Sequence, residues 1–509
     1  MDTVIDEGRP GRLIGRASIV AAGTVYQQII SFLSGLIVAR VIGASEYGIF
    51  NLARSLLDLT AIFTRLGLDI GLQRYFGETN ASQDNSFRIA VLRRVRLMAS
   101  ALALITVAAV ALGLGRYLED NVYHYSHFAE ILLCLALALP FFTDIAVLGG
   151  AYRGILKLSA PVIVECVLMP TVRLALILLL FAAGWRLWAV VAGTTMASLL
   201  ASAFLASRAR DDFRAHAPAP SDSWVNALQV VRYSSILALA VLATTLTGSM
   251  DMLILGRFAT AQDLGQYSLV KMLLVLMGVF GVAFSQGLGA LVAERHVRRD
   301  RAGMVRVMSL SARLVTLVTL PIFAIFLFWG AQITPLFGPS FATSQAVISL
   351  LAISQYILIV FGPSGWALSM TGRHVLELKI LLVGLVVAVL VCWIAIPIYG
   401  QLGAAVATCA SVVVANLTRV LFIRHSIGAF PFGIDILAIT ATGIGLAWVV
   451  SAAIAQFSLP SVWNTICGIG CFIVVYAVVG WTHLLSESEK TGIRAAVKST
   501  THGLFASGL

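Results

Sequence analysis

Arg54, Asp58, Arg65 and Asp69 recur at helical spacing inside an otherwise apolar stretch from Gly48 to Gly71. At about 100° per residue these four fall in a sector of about 60°, and Asn51 joins them. The stretch is as long as a bilayer-crossing helix needs to be. A charge at membrane depth is costly, so the stripe must face protein or water rather than lipid. Such a stripe can hold an ionised ligand, and the planar fork of Arg54 suits phosphate oxygens. The structural alternative is an Arg54–Asp58 pair one turn apart, with Arg65 snorkelling to the headgroups near the helix end.

The composition says what kind of scaffold must carry this stripe. Of 509 residues, 59% are hydrophobic and only 12% are charged, against about 25% charged in soluble domains. The mean hydropathy is +0.93. A polytopic membrane protein follows. Its apolar runs do not alternate with period two, so helices rather than a β-barrel must span the bilayer. Fourteen runs of spanning length fall near 17–41, 48–71, 91–113, 129–151, 160–182, 186–206, 232–256, 264–292, 306–328, 343–370, 378–398, 401–423, 434–457 and 463–483. The fold class expected is an all-α integral membrane protein.

The net charge of +11 is not a nucleic-acid signature here. With the N-terminus placed in the cytoplasm, most Lys and Arg fall in cytoplasmic segments, among them Arg93, Arg94 and Arg96, Arg208, Arg210 and Arg214, and Arg295, Arg298, Arg299 and Arg301. That is the positive-inside pattern, and it places both termini in the cytoplasm. Trp185, Trp188, Trp329 and Trp463 fall at outer helix ends, as an interfacial belt predicts.

The chain also repeats itself. Gly48 and its neighbours align with Gly265 at an offset of 217 residues, and Gly184-Trp-Arg-Leu with Gly400-Gln-Leu-Gly at 216. Two matches at nearly one offset indicate a duplicated six-helix unit. Six is even, so the copies are related by an axis along the membrane normal. The expected organisation is a six-helix lobe over 1–217, a second over 218–430, and two extra helices with a tail over 431–509. The linker between the lobes contains Pro218 and Pro220. The offset lays Arg54 on Lys271 and Asp69 on Gln286, so both copies place a cation at one depth.

Arg54 and Lys271 are therefore the leading candidates for holding an anionic group, with Arg65, Asn51, Arg173 and Arg313 as further cavity residues. Gln27 and Gln28 are candidate cavity donors or interhelical bonds. Asp58, Asp69, Asp144, Asp251 and Glu165 are intramembrane carboxylates. One of them could bind a coupling proton or sodium ion, while for any single one a fixed counter-ion to a neighbouring Arg is the favoured reading. No P-loop, HExxH or nucleophile elbow occurs, so an enzyme, a cofactor and a bound metal are not expected.

The run Val38-Ala39-Arg40-Val41-Ile42-Gly43-Ala44-Ser45-Glu46-Tyr47-Gly48-Ile49-Phe50, followed by Leu66-Gly67-Leu68-Asp69-Ile70-Gly71-Leu72, resembles the opening of the polysaccharide-transport family. These are bacterial flippases for O-antigen and exopolysaccharide repeat units, within the multidrug/oligosaccharidyl-lipid/polysaccharide exporter superfamily. The resemblance implies two six-helix bundles in the bacterial inner membrane. It implies a polyprenyl-diphosphate-linked oligosaccharide carried from the cytoplasmic to the periplasmic face by alternating access. Membrane lipids are implied as surroundings, and a polysaccharide polymerase and glycosyltransferases as partners. The family's usual apolar surroundings of Leu-Gly-Leu are here more polar, with Arg65 and Asp69. Rival readings are a lipid II flippase, a multidrug/cation antiporter of the same superfamily, and a membrane glycosyltransferase. The Arg54/Lys271 pair weighs against the antiporter, and the short outer loops weigh against the glycosyltransferase.

Overall fold

The computed structural model describes residues 10–79, 85–213, 223–298, 300–370, 373–427, 432–457, 460–485, 487 and 490–491. Arg214, Arg299, Pro218 and Pro220 lie outside them, and the side chain of Gln286 is likewise not described. Among the described residues there is no strand. The first helices are Pro10–Ile42 (α1), Ala44–Arg65 (α2), Leu68–Thr79 (α3), Asn85–Ala109 (α4), Gly115–Leu118 (α5), Phe128–Ala136 (α6), Leu139–Gly154 (α7), Ser159–Val162 (α8), Met169–Ala182 (α9) and Arg186–Asp212 (α10). The second half follows with Ser223–Phe258 (α11), Ala261–Val297 (α12), Arg301–Ile333 (α13), Gln345–Phe361 (α14), Pro363–Met370 (α15), His374–Tyr399 (α16), Gln401–Ile427 (α17), Ile434–Ala455 (α18) and Ser461–Val479 (α19). Single π-helical turns bridge α4 to α5 and α8 to α9.

Among the described residues, 12 helical stretches are long and apolar enough to cross a membrane. The fourteen expected from the sequence are not reached on that measure. The two runs at issue fall on α2 and α12. At 22 residues α2 has the length, but Glu46, Arg54, Asp58 and Arg65 remove the apolarity. α12 runs for 37 residues, part of whose side chains are not described.

A larger correction concerns the charged stripe. The run 48–71 is not one helix. Leu66 adopts a left-handed conformation, φ 46°, and donates its N–H to Ile62 O, while Gly67 follows at φ 67°. Only glycine enters this region without steric cost, which is why the chain turns at the Leu-Gly-Leu motif. The same corner packs against α11. A Cβ at Gly67 would meet Ser234 O, and one at Gly71 would meet the Ser234 hydroxyl. Asp69 therefore belongs to α3, and the 100° periodicity that joined it to Arg65 does not apply.

The residues group into two compact units. The first comprises Met1–Val275, Phe337–Thr343 and Arg373–Thr418. Its core includes Leu68, Leu72 and Phe76 of α3, Val91 and Val95 of α4, Tyr152 of α7 and Leu205 of α10. Helices α3 and α7 approach at backbone distance because Gly150 and Gly154 lack side chains: a Cβ there would meet Asp69 O and Gln73 O respectively. Small residues four apart are a standard device for close helix contact where lipid offers no hydrophobic drive.

Positions that the 217-residue offset lays on one another meet inside this unit. A Cβ on Gly48 would meet Ala261 O and Gly265 N, and a Cβ on Gly265 would meet Ala44 O. Gly48 and Gly265 are equivalent by the 217-residue offset, as are Ala44 and Ala261. The first turns of α2 and α12 thus pack reciprocally.

The second unit comprises Leu276–Leu336, Ser344–Gly372 and Arg419–Leu509. Here α18 and α19 pack on α13. Tyr356 stacks on Phe323 at 4.4 Å between centroids and its hydroxyl lies 2.7 Å from Thr440 Oγ1. Trp329 is 3% exposed and packs beside Gly468 and Phe472. It belongs to this core and not to an interfacial belt. Trp185, Trp188 and Trp463 are exposed, as a belt requires.

Candidate functional site

Four clusters of charged groups in the first unit contain the candidate residues. The first is built on α2. Arg54 Nε lies 3.8 Å from Asp58 Oδ2, and the two side chains are 35% and 55% exposed. At that distance and exposure the pair is loose, so it holds neither group firmly. Asn51, one turn earlier, donates its amide to Tyr47 O at 2.7 Å. Arg173, from α9, lies close enough to Arg54 and Asp58 for electrostatic interaction with both. Its Nη2 reaches Ser31 Oγ on α1 at 3.4 Å, and its Nε is buried without a hydrogen-bond partner. Gln28, three residues before Ser31 on α1, likewise has a buried Oε1 with no partner.

Two guanidinium groups thus converge with one carboxylate, leaving a net positive site. Buried polar atoms without partners are costly, and a ligand or water that meets them recovers that cost. Charged side chains as exposed as Arg54 and Asp58 cannot face hydrocarbon, so the surface around them must be wet, with the Arg173 guanidinium buried beside it.

The second cluster surrounds Asp251 on α11. Its side chain is 4% exposed and pairs with Lys271 of α12, Nζ to Oδ2 at 2.9 Å. Lys271 is thereby committed to a counter-ion, unlike its repeat partner Arg54. In the third cluster, Asp144 on α7 takes both prongs of Arg96 from α4, at 2.7 and 3.0 Å, and the Ser202 hydroxyl from α10 at 2.9 Å. Arg96, counted from the sequence among the cytoplasmic loop cations, lies within α4 and ties three helices together.

The fourth cluster lies where α2 ends. Arg153 on α7 grips Glu165 at 2.6 and 2.7 Å, and Gly149 makes room, since a Cβ there would meet the Glu165 carboxylate. Arg65 and Asp69 lie within electrostatic reach of Glu165, and Arg65 Nε is buried and unpartnered. Arg313 is elsewhere. In the second unit its Nη1 meets Asp435 Oδ2 at 3.2 Å and its Nη2 donates to Leu484 O at 2.8 Å. It braces α18 and the turn that follows α19 against α13.

Sequence reasoning grouped Arg54, Asn51 and Arg173 as cavity residues together with Lys271, Arg65 and Arg313, and the structure places Arg173 near Arg54 and Asp58 while Lys271, Arg65 and Arg313 fall in other clusters. Arg173 comes near Arg54 and Asp58 because α1 packs on both α2 and α9. Tyr267 and Thr408, which bond Asp251, went unnoticed. Tyr267 carries a usable signal, one turn before Lys271 on the same face; Thr408 carries none.

The Asp144 cluster yields a direct expectation. Arg96→Leu leaves a carboxylate 12% exposed without its cation, which should cost about 3–5 kcal/mol. Asp144→Leu added to it should restore most of the loss. Thermal unfolding of the purified single and double variants checks this, and equal melting points for both would contradict it.

Known proteins share this architecture. A family profile described as "Polysaccharide biosynthesis protein" matches residues 15–288, and one described as MatE matches 237–394. The chain is 22% identical over 406 residues to the "Probable low-salt glycan biosynthesis flippase Agl15" of Haloferax volcanii, covering 78% of this chain and 81% of that protein. Among solved structures it is similar to the lipid II flippase MurJ in its inward closed conformation, TM-score 0.73 at 12% identity, covering 92% of this chain and 99% of that one. It is also similar to an inward-facing multidrug resistance MATE family transporter of the MOP superfamily, TM-score 0.63 at 14% identity, covering 81% and 98%. At these identities the structural likeness establishes the fold.

Proposed function

The chain belongs to the polysaccharide biosynthesis protein family, and on that premise we propose that it is a flippase for polyprenyl-diphosphate-linked oligosaccharides. The observation that carries the reading is that Arg54 and Arg173 lie within electrostatic reach of one another, with Asp58 the carboxylate beside them among the described residues. A diphosphate supplies the missing negative charge. Guanidinium forks bind its oxygens by charge-assisted pairs, and Asn51 and Gln28 offer neutral contacts to sugar hydroxyls. Lys271 is not part of this anion site, because Asp251 already takes its charge. The polyprenyl chain stays in the bilayer while the head group passes.

The direction of carriage is from the cytoplasmic to the periplasmic face of the bacterial inner membrane, by alternating access, with both termini cytoplasmic. The positive-inside pattern supports that orientation. The driving force is an ion gradient or consumption of product, and polymerase and glycosyltransferases act on either side of the step.

Reconstitution tests the reading. Proteoliposomes should make a short-chain polyprenyl-diphosphate oligosaccharide accessible to a periplasmic-side glycosidase at a rate that scales with protein. Movement of lipid II alone would assign the chain to cell-wall synthesis. Movement of cationic dyes alone would make it an antiporter.

A further inference from the structure

The ammonium of Lys271 sits in an oxygen cage. It lies 2.8 Å from Gly248 O, and 2.9 Å from each oxygen of Asp251. Asp251 Oδ2 also accepts from Tyr267 Oη at 2.7 Å and from Thr408 Oγ1 at 3.0 Å, while Oδ1 accepts from Met252 N at 2.8 Å. The Tyr267 ring covers the ammonium at 5.7 Å from its centroid. An ammonium has three hydrogens, and three oxygens receive them.

A backbone carbonyl and both oxygens of a buried carboxylate are donors that a small hard cation takes, and the hydroxyls of Tyr267 and Thr408 hold that carboxylate in place. A carboxylate 4% exposed cannot remain charged alone, so something must neutralise it. Here the chain does so itself. We propose that unit one contains a monovalent-cation site permanently filled by the ammonium of Lys271, which stands where a sodium ion would otherwise bind. The divergence of the two repeats supports this: Arg54 keeps only a loose partner at 3.8 Å, while its counterpart Lys271 is fully spent. The first copy kept its cation for cargo, and the second turned its cation into a fixture.

The consequence for energy supply rests on the flippase reading: a site filled from within needs no sodium gradient. The site itself does not depend on what is carried. The groups facing Asp251 are Lys271 and Tyr267 from α12, Thr408 from α17, and the Cys392 thiol of α16 within electrostatic range.

The test is thermal unfolding of the full-length purified protein in sodium chloride and in choline chloride at equal ionic strength, at pH 8 and pH 5.5. The wild type should melt alike in both salts. Lys271→Met should melt several degrees lower in choline chloride at pH 8, and sodium should restore the loss saturably. Lys271→Met/Asp251→Asn should ignore sodium. Should Lys271→Met not accumulate, Lys271→Gln purified in sodium and then dialysed into choline provides the same comparison. Rescue by acid but not by sodium would reduce Lys271 to an ordinary counter-ion and overturn the cation site. So would saturable sodium stabilisation of the wild type.

Discussion

Replacing Arg54 and Arg173 together with glutamate should abolish translocation while leaving the protein in the membrane at wild-type amount. Each guanidinium is expected to contribute a charge-assisted contact of about 1.5–3 kcal/mol to a bound diphosphate. Losing both reduces binding by about 100-fold or more, and reversing the charges adds repulsion. Neither substitution breaks a tight structural pair, since Arg54 is loosely partnered and Arg173 spends only one long contact on Ser31. The initial rate of head-group exposure in proteoliposomes is the measurement. Arg313→Gln serves as the comparison, because its contacts brace helices of the second unit and its loss should lower the melting point rather than the rate. Wild-type rates in the Arg54/Arg173 double variant would remove the anion site.

Gly265→Val should also stop transport, for a mechanical reason. Its Cβ would strike the backbone of Ala44, which cannot move aside as a flexible side chain could. The same holds for Gly48→Val against Ala261 O and Gly265 N. Overpacking of this kind costs about 1–3 kcal/mol when helices stay in place, and it is relieved when the first turns of α2 and α12 separate. The variants should therefore populate conformations in which those turns are apart. Ala44 is 2% exposed, so maleimide labelling of Ala44→Cys, in a background lacking the six native cysteines, should be slow. It should quicken when Gly265→Val is added. Unchanged labelling with full transport would mean the contact is incidental to the cycle. Equal effects at positions 48 and 265 are expected because the contact is reciprocal across the repeat.

Much of this protein is written in local sequence. Composition and long apolar runs determine a helical membrane protein, because bilayer-spanning backbone must satisfy its own hydrogen bonds. The offset between Gly48 and Gly265 singles out two positions that the structure packs against one another, and the run through Gly48 marks the family. Arg54, Asn51 and Asp58 stand out because charge inside an apolar span has no inexpensive explanation. Tertiary structure decided the rest. Whether a cation serves cargo or the fold depends on which carboxylate another helix delivers, and periodicity along one helix carries no information about that. Lys271 meets Asp251 twenty positions back, whereas Arg54 has a loose pair with Asp58 and lies within electrostatic reach of Arg173 from α9. Asp69 left the stripe because a glycine at φ 67° turned the chain, a backbone choice that residue spacing assumes away.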